Sequence, residues 1–335
     1  MTNAQPHSAH PSEVLFAGER ALPLMPAVDH YAGSEKLIRK AIALQAEMGP
    51  VFDITCDCED GAAAGAEREH AEMCAEIIAG SDNPHGRIGA RIHDVTHPSW
   101  RQDLEILIPR AGALLPFITL PKPCSANDVR TQIAALRELE ARAGLTRPIP
   151  VHVLIETHGA LREVWEIAAI GGVESLDFGL MDFVSAHQGA IGGAAMRSPG
   201  QFDHPLVRRA KCEIAAAALG NGVIPSHNVT TELKDRALIL SDAARARDEF
   251  GYLRMWSIHP NQIEPILQAM RPDFAEVSEA AEIIWQAMAA QWGPIKHAGK
   301  LHDRASYRYY WNLLARAHST GVELPAPVCA LFTSR

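Results

Sequence analysis

The stretch FDITCDCEDG, residues 52–61, sets two kinds of metal-binding chemistry one residue apart. Cys56 and Cys58 could hold a soft, thiophilic ion, whereas Asp57, Glu59 and Asp60 could serve a hard cation. The apolar and β-branched neighbours read as a strand, on which side chains alternate between faces. Phe52, Ile54, Cys56 and Cys58 then share one side, and Asp53, Thr55, Asp57 and Glu59 the other. The thiols travel with the apolar face and read as buried spacers, while the carboxylates sit on the opposite face at the strand's C-terminal end. Taken alone, those carboxylates could equally be a solvated strand end or a helix cap.

Repetition shifts that balance. Other candidate strands also end in groups able to do chemistry: Arg91 in ARIHD, Lys122 in LPKP, Glu156 in LIETHG, Asp182 in FGLMDF, His227 in IPSHN and His259 in SIHPNQ. Glu156 and Asp182 follow consecutive strands 26 residues apart, so a closed sheet would set them side by side. Two neighbouring carboxylates repel unless a cation lies between them, and hard oxygen ligands suit Mg²⁺ or Mn²⁺ better than zinc. The competing reading is a structural ion pair of either carboxylate with Arg91 or Lys122. His93, His158, His187 and His227 could each be an acid, a base or a substrate contact. With 16 histidines in the chain, each reads first as a satisfied polar side chain. No G-x-S-x-G elbow, H-E-x-x-H helix or P-loop occurs, so hydrolase, zincin and nucleotide-hydrolase chemistry have no carrier.

The elements that must position these groups alternate. Short apolar runs at 14–16, 51–56, 87–92, 114–120, 149–155, 175–180, 221–225 and 253–258 are strand candidates. Between them, segments such as 34–48, 125–144 and 159–170 carry apolar residues at helical spacing, the second opening on Ser125 three residues before Asp128. Strand–helix alternation implies a parallel sheet, and eight units close an α/β (β/α)₈ TIM barrel. A doubly wound open sheet is the rival, although no G-x-G-x-x-G follows any strand. The expected organisation is a disordered tail over 1–12, a barrel over 13–272 and a C-terminal helical extension over 273–335. That extension carries Tyr307, Tyr309, Tyr310 and Trp311, too closely spaced for one helix face, so part of the cluster should meet another surface.

Composition narrows the class. A formal charge of −9 disfavours nucleic-acid binding, which needs clustered cations to replace phosphate counterions. No apolar run approaches the roughly 20 residues of a membrane span. The polar opening MTNAQPHSAHP lacks the apolar core of a signal peptide, so the expected location is the cytoplasm. Six cysteines without a C-x-x-C pair read as free thiols.

The ordered pieces LFAGER, CDCEDG, ARIHD, TLPKP, LIETHG, FGLMDF and SIHPNQI, spread over about residues 14–270, resemble the HpcH/HpaI aldolase and citrate lyase family. The resemblance implies a (β/α)₈ barrel in which Glu156 and Asp182 bind Mg²⁺ and Glu59 and Asp60 bond to the metal's waters. It implies that Arg91 holds the carboxylate of a 2-oxo acid, with Lys122, Asp57 and Arg20 of LFAGER in the same substrate-binding set. The implied activity is that of a carbon–carbon lyase of the oxo-acid type, cleaving or forming a hydroxyacyl-CoA from an acyl-CoA and a 2-oxo acid. A CoA-independent 2-oxo-acid aldolase and a non-catalytic metal and oxo-acid binder are the alternatives. Glu59, a metal-bound hydroxide and an acidic residue of a neighbouring subunit are all open as the general base. A homo-oligomer, trimer or hexamer, is implied too. The chain departs from the family pattern at His93 (usually Asn), at His158 and Gly159 (often Pro-Arg) and at Arg254 and Met255 (commonly Gly-Lys), groups expected near the acyl or CoA portion. It also carries extra sequence, ALPLMPAVDHYAG, before the helix at 34.

Overall fold

The computed structural model describes residues 10–16, 22–62, 64–80 and 82–333. Its described residues form two compact units. One runs from Pro26 to Met270; the other joins the described residues before Pro26 to those from Arg271 onward.

The larger unit is a closed parallel barrel of eight strands in sequential order. They are β1 (Val28–Ala32), β2 (Phe52–Asp57), β3 (Ile88–Arg91), β4 (Ile118–Leu120), β5 (Val151–Ile155), β6 (Val173–Phe178), β7 (Ile224–His227) and β8 (Arg254–Ser257). Pairing of β1 with both β2 and β8 closes the ring. Helices return the chain between strands, and their starts and stops follow local chemistry. Ser125 Oγ accepts the Asp128 N–H at the start of helix Ala126–Arg142, and Gly251, at φ 77°, ends helix Arg236–Phe250 just before β8. Outward strand residues such as Ile54, Ile88 and Ile118 are fully buried in the main apolar cluster, each such side chain contributing roughly 1.5–3 kcal/mol.

Two strand assignments change. The run at 14–16 is not a strand: helix Pro11–Leu15 occupies it, and Leu15 joins the apolar core of the smaller unit. The barrel unit therefore begins at Pro26 instead of 13, and it ends at Met270 instead of 272. The first strand lies inside the supposedly extra segment, as Val28–Ala32. Its Asp29 and His30 disguise it, because charged residues are rare in strands unless the interior satisfies them. Here it does: Thr55 donates to Asp29 Oδ1 at 2.7 Å, and Arg254 Nη2 lies 3.0 Å from Asp29 Oδ2. The expected tail over 1–12 falls mostly on residues 1–9, outside the described residues; His10 already caps the first helix.

Arg254 is also placed differently from the expectation that it lies near an acyl group. It is fully buried inside the barrel, donating to Asp53 Oδ2 at 2.6 Å and to the Pro26 carbonyl at 2.9 Å. Met255, beside it, is buried among the apolar outward residues. Removing one partner of such a pair leaves a buried charge, so Arg254→Ala is expected to destabilise the protein by about 3–5 kcal/mol in urea denaturation. A loss under about 1 kcal/mol would show that the barrel does not depend on the Arg254 ion pairs.

The smaller unit packs helix Phe274–Ala289 against helix Arg304–Ser319. Tyr307 and Trp311 enter its core while Tyr309 stays exposed. An antiparallel hairpin, Ile295–His297 with Lys300–His302, interrupts the helices and was not expected from the sequence. No helix among the described residues is long and apolar enough to cross a membrane.

Candidate active site

The C-terminal ends of β2 to β6 bring the predicted groups together. Asp57 closes β2, Arg91 closes β3, Lys122 follows β4, Glu156 follows β5, and Asp182 lies on the short helix Leu180–Ser185 after β6. Asp57 grips Arg91 bidentately: Nε donates to Oδ1 at 2.8 Å and Nη2 to Oδ2 at 2.6 Å. Two backbone N–H groups, of Glu59 and Gly61, also donate to the Asp57 carboxylate. Burial alone would push the Asp57 carboxyl up, but the Arg91 charge and these hydrogen bonds override it and hold it below the usual carboxylate range. Arg91 Nη1 lies 2.9 Å from Glu59 Oε2, at ion-pair distance but outside hydrogen-bond alignment.

Lys122 is the second cation. Its Nζ sits 2.6 Å from Glu59, 2.7 Å from Asp60 and 3.9 Å from Asp182. Its backbone N–H donates to Glu156 Oε1 at 2.8 Å. Lys122 adopts φ +48° between two prolines, a conformation that L residues rarely take and that locally strained functional sites retain.

Glu156 is almost fully buried, and no ion pair to Arg91 or Lys122 neutralises it among the described residues. Burial is the largest influence on its carboxyl; despite the opposing charge of Arg91, and helped by Asp182 and Glu59, it is pushed up to about 8. Burial likewise raises Glu59. The mouth thus gathers five carboxylates around two side-chain cations, an excess of hard oxygen donors that a divalent ion would offset. The competing ion-pair reading finds a partner for Asp182, whose Oδ1 lies 3.9 Å from Lys122 Nζ, but none for Glu156 among the described residues.

Close packing sets this geometry. A Cβ on Gly179 would lie 2.0 Å from Glu156 Oε2, and one on Gly61 would lie 2.2 Å from Asp57 Oδ2. Both glycines are spaces reserved for carboxylates. Gly179→Ala is expected to displace the Glu156 carboxylate and weaken Mg²⁺ binding at least about tenfold, the lower range for a disturbed metal ligand. Calorimetric titration of Mg²⁺ checks this, and unchanged affinity would remove Glu156 from the ligand set.

The thiols behave as spacers. Cys58 Sγ lies 3.9 Å from Cys74 Sγ on helix Glu67–Ala79, and both thiols are held well above their ordinary pKa. His70 is near them, but its Nε2 is bonded to the Asp57 carbonyl at 2.8 Å.

Not every strand-end group reaches the mouth. His227 faces the helix layer, bonded to Lys211 and stacked on Phe202, and burial holds its pKa well below the ordinary value. His259 accepts the Asn261 N–H and shapes the start of helix Pro260–Met270. Arg20 lies outside the described residues. Conversely, Asp103 went unrecognised in the sequence. It is buried on helix Trp100–Ala111 and bonded to His93 Nδ1 at 2.7 Å; only its position in a helix with an otherwise apolar buried face could have marked it. A cavity of about 350 Å³ opens between the β2, β3 and β4 ends, with Glu59, Asp60, His93, His97 and Lys122 on its walls.

The family model for HpcH/HpaI aldolase/citrate lyase matches residues 37–260. The crystal structure of a citrate lyase from Burkholderia xenovorans LB400 is 53% identical and superposes with a TM-score of 0.85, covering 97% of this chain and 100% of that one. An L-malyl-CoA/beta-methylmalyl-CoA lyase of Cereibacter sphaeroides is 28% identical over 268 residues, 76% of this chain and 84% of its own. A malyl-CoA/beta-methylmalyl-CoA/citramalyl-CoA lyase of Chloroflexus aurantiacus is 26% identical over 310 residues, 86% of this chain and 87% of its own.

Proposed function

The chain belongs to the HpcH/HpaI aldolase/citrate lyase family, and on that premise we propose that it is a Mg²⁺-dependent carbon–carbon lyase. Its substrate class is a hydroxyacyl-CoA thioester, cleaved to or formed from an acyl-CoA and a 2-oxo acid. The carrying observation is the mouth itself: Glu156 and Asp182 beside an Arg91 that Asp57 orients, with Lys122 tying down Glu59 and Asp60. The lyase activities of the Cereibacter and Chloroflexus relatives support the thioester substrate.

Glu156 and Asp182 would hold the ion, which when bound supplies a Lewis acid for charge developing on substrate oxygens. Arg91, its fork fixed by Asp57, offers a planar cation to the carboxylate of the oxo acid. Lys122 adds positive charge on the cavity wall and holds Glu59 and Asp60 where they can accept hydrogen bonds from water around the ion. Arg20, in the LFAGER segment that resembles the family pattern, is read as a further member of the substrate-binding set. The reading extends to a homo-oligomer, trimer or hexamer, working in the cytoplasm; Phe274, Leu301 and Tyr309, exposed on the smaller unit, support an association surface.

The test is calorimetry of oxaloacetate, glyoxylate and pyruvate titrated into chelator-stripped protein with and without Mg²⁺. Binding that requires the ion is expected, with the best-bound acid nominating the thioesters to assay. Binding indifferent to the ion would return the carboxylates to a structural role.

A further inference from the structure

His93 is held at three points. Its backbone N–H donates to Asp103 Oδ2 at 2.9 Å, its ring Nδ1 meets the same oxygen at 2.7 Å, and its carbonyl accepts from Gln132 Nε2 at 3.2 Å. His97 stacks on the ring with centroids 4.0 Å apart. Among the described histidines at ion-pair distance from a carboxylate, this contact is the shortest; those of His152 and His297 are 3.8 and 3.7 Å. With Nδ1 committed to Asp103, Nε2 is the ring nitrogen left for a ligand, and the ring lines the same cavity as Glu59, Asp60 and Lys122. A purely structural histidine would have no need of a wall position in the cavity that Glu59, Asp60 and Lys122 line, nor of a buried carboxylate fixing its tautomer.

We propose that His93, positioned by Asp103, is the acid–base group that carries the reaction's proton between substrate oxygen and carbon. The proposal rests on the lyase reading above and supplies the base that reading lacks. In the cleavage direction the substrate's hydroxyl O–H bond breaks and its proton passes to Nε2. The oxygen's electron pair becomes the new carbonyl bond, the carbon–carbon bond breaks, and its electron pair becomes the enolate of the acyl-CoA. Nε2–H then delivers the proton to the enolate carbon. One proton has moved from oxygen to carbon, and nothing else is consumed. A single imidazole suffices because it alternates between base and acid, and in each state Asp103 accepts the Nδ1 hydrogen.

Charge around the ring supports this cycle. Burial lowers the imidazole pKa, but the Asp103 hydrogen bond and charge, with Glu59 and Glu67 across the cavity, outweigh it and raise the group above its ordinary value. Cys58, Asp60 and Lys122, on the cavity wall, and Asp94 and His97, on the same loop as the ring, are the other titratable groups there. The same Asp103 contact that orients the ring therefore also favours its protonated form, the state that must follow proton uptake from the substrate.

The decisive experiment uses the Mg²⁺-loaded protein, with acetyl-CoA or propionyl-CoA and glyoxylate as the condensation pair, whose joining would form malyl-CoA or beta-methylmalyl-CoA, the thioesters in the name of the Cereibacter relative. It compares wild type, His93→Gln and Asp103→Asn. His93→Gln is expected to lower kcat about 10²- to 10⁴-fold, the range for a lost acid–base group, and to slow deuterium entry into the acyl α-carbon equally. Mg²⁺-dependent glyoxylate binding in calorimetry should stay within about twofold, showing that the variant is folded and its oxo-acid site intact. Asp103→Asn should keep partial turnover while the acidic limb of the kcat/KM profile moves to lower pH, a shift that a merely structural aspartate would not produce. Turnover of His93→Gln within about threefold of wild type would overturn the assignment while leaving the lyase reading standing. Wild-type protein that binds no oxo acid overturns both.

Discussion

Glu156→Gln is expected to lower kcat/KM for thioester cleavage by about 10³-fold or more. Several kcal/mol of charge stabilisation go with the ion, and each 1.4 kcal/mol is a decade in rate. The substitution is close to isosteric, and glutamine's carbonyl can keep the Lys122 N–H bond that Glu156 Oε1 accepts at 2.8 Å. The fold should therefore survive, and in the chelator-stripped protein it should gain. Glu156 is pushed up to about 8 from its ordinary 4.5 by burial, so the folded state retains a proton that the unfolded state gives up. Stability from this group is fully present below pH 4.5 and is lost as pH rises through 8. Urea midpoints in the presence of chelator should thus favour Glu156→Gln increasingly across that window, and Mg²⁺ should reverse the order. A variant with full turnover, or one whose midpoint tracks wild type at every pH, would contradict the placement of Glu156 as a buried ligand.

Arg91→Lys is the second large effect. Lysine keeps the charge but loses the fork that meets Asp57 through Nε and Nη2 and reaches Glu59 through Nη1. A point charge cannot satisfy both carboxylates and a substrate carboxylate together. Losing a charged hydrogen bond to substrate costs about 1.5–3 kcal/mol, so kcat/KM should fall roughly 10- to 10²-fold. Asp57, nearly buried and left imperfectly paired, should lower stability by up to about 3–5 kcal/mol. Calorimetric affinity for glyoxylate and the urea midpoint read the two effects separately. Loss of stability with unchanged affinity would make Arg91 a support for the β2–β3 edge, and the substrate carboxylate would have to be met elsewhere.

Periodicity and composition read the barrel where strands obey the usual chemistry. Ile54, Ile88 and Ile118 announce apolar faces, and their strands lie close to their expected positions. β1 escaped because Val28–Ala32 turns Asp29 into a barrel interior whose Thr55 and Arg254 come from strands distant in sequence. The same long-range pairing explains Arg254: a lone arginine before Met255 looks like a surface group until Asp53 and Asp29 are known to lie beside it. Carboxylates at strand ends were legible because a parallel barrel must collect those ends on one rim. His227 was misplaced because one residue along a strand decides between rim and helix layer, and a histidine gives no polarity signal strong enough to choose. The His93–Asp103 pair was hidden because its members are separated by a loop and the first turn of a helix, with no motif linking them.

The division of the chain into units has a consequence for its synthesis. Leu15 is buried with Val277, Ile284 and Leu314, residues that leave the ribosome only after the whole stretch from Pro26 to Met270 has been made. At about 5–20 residues per second, that first helix waits roughly 10–50 s for its partners. During that interval the barrel strands, emerging in the order in which they pair, can close around one another first. The early segment must therefore stay out of their way with an unsatisfied apolar face, a window in which a bound chaperone or a slower stretch of translation would change yield without changing the finished protein.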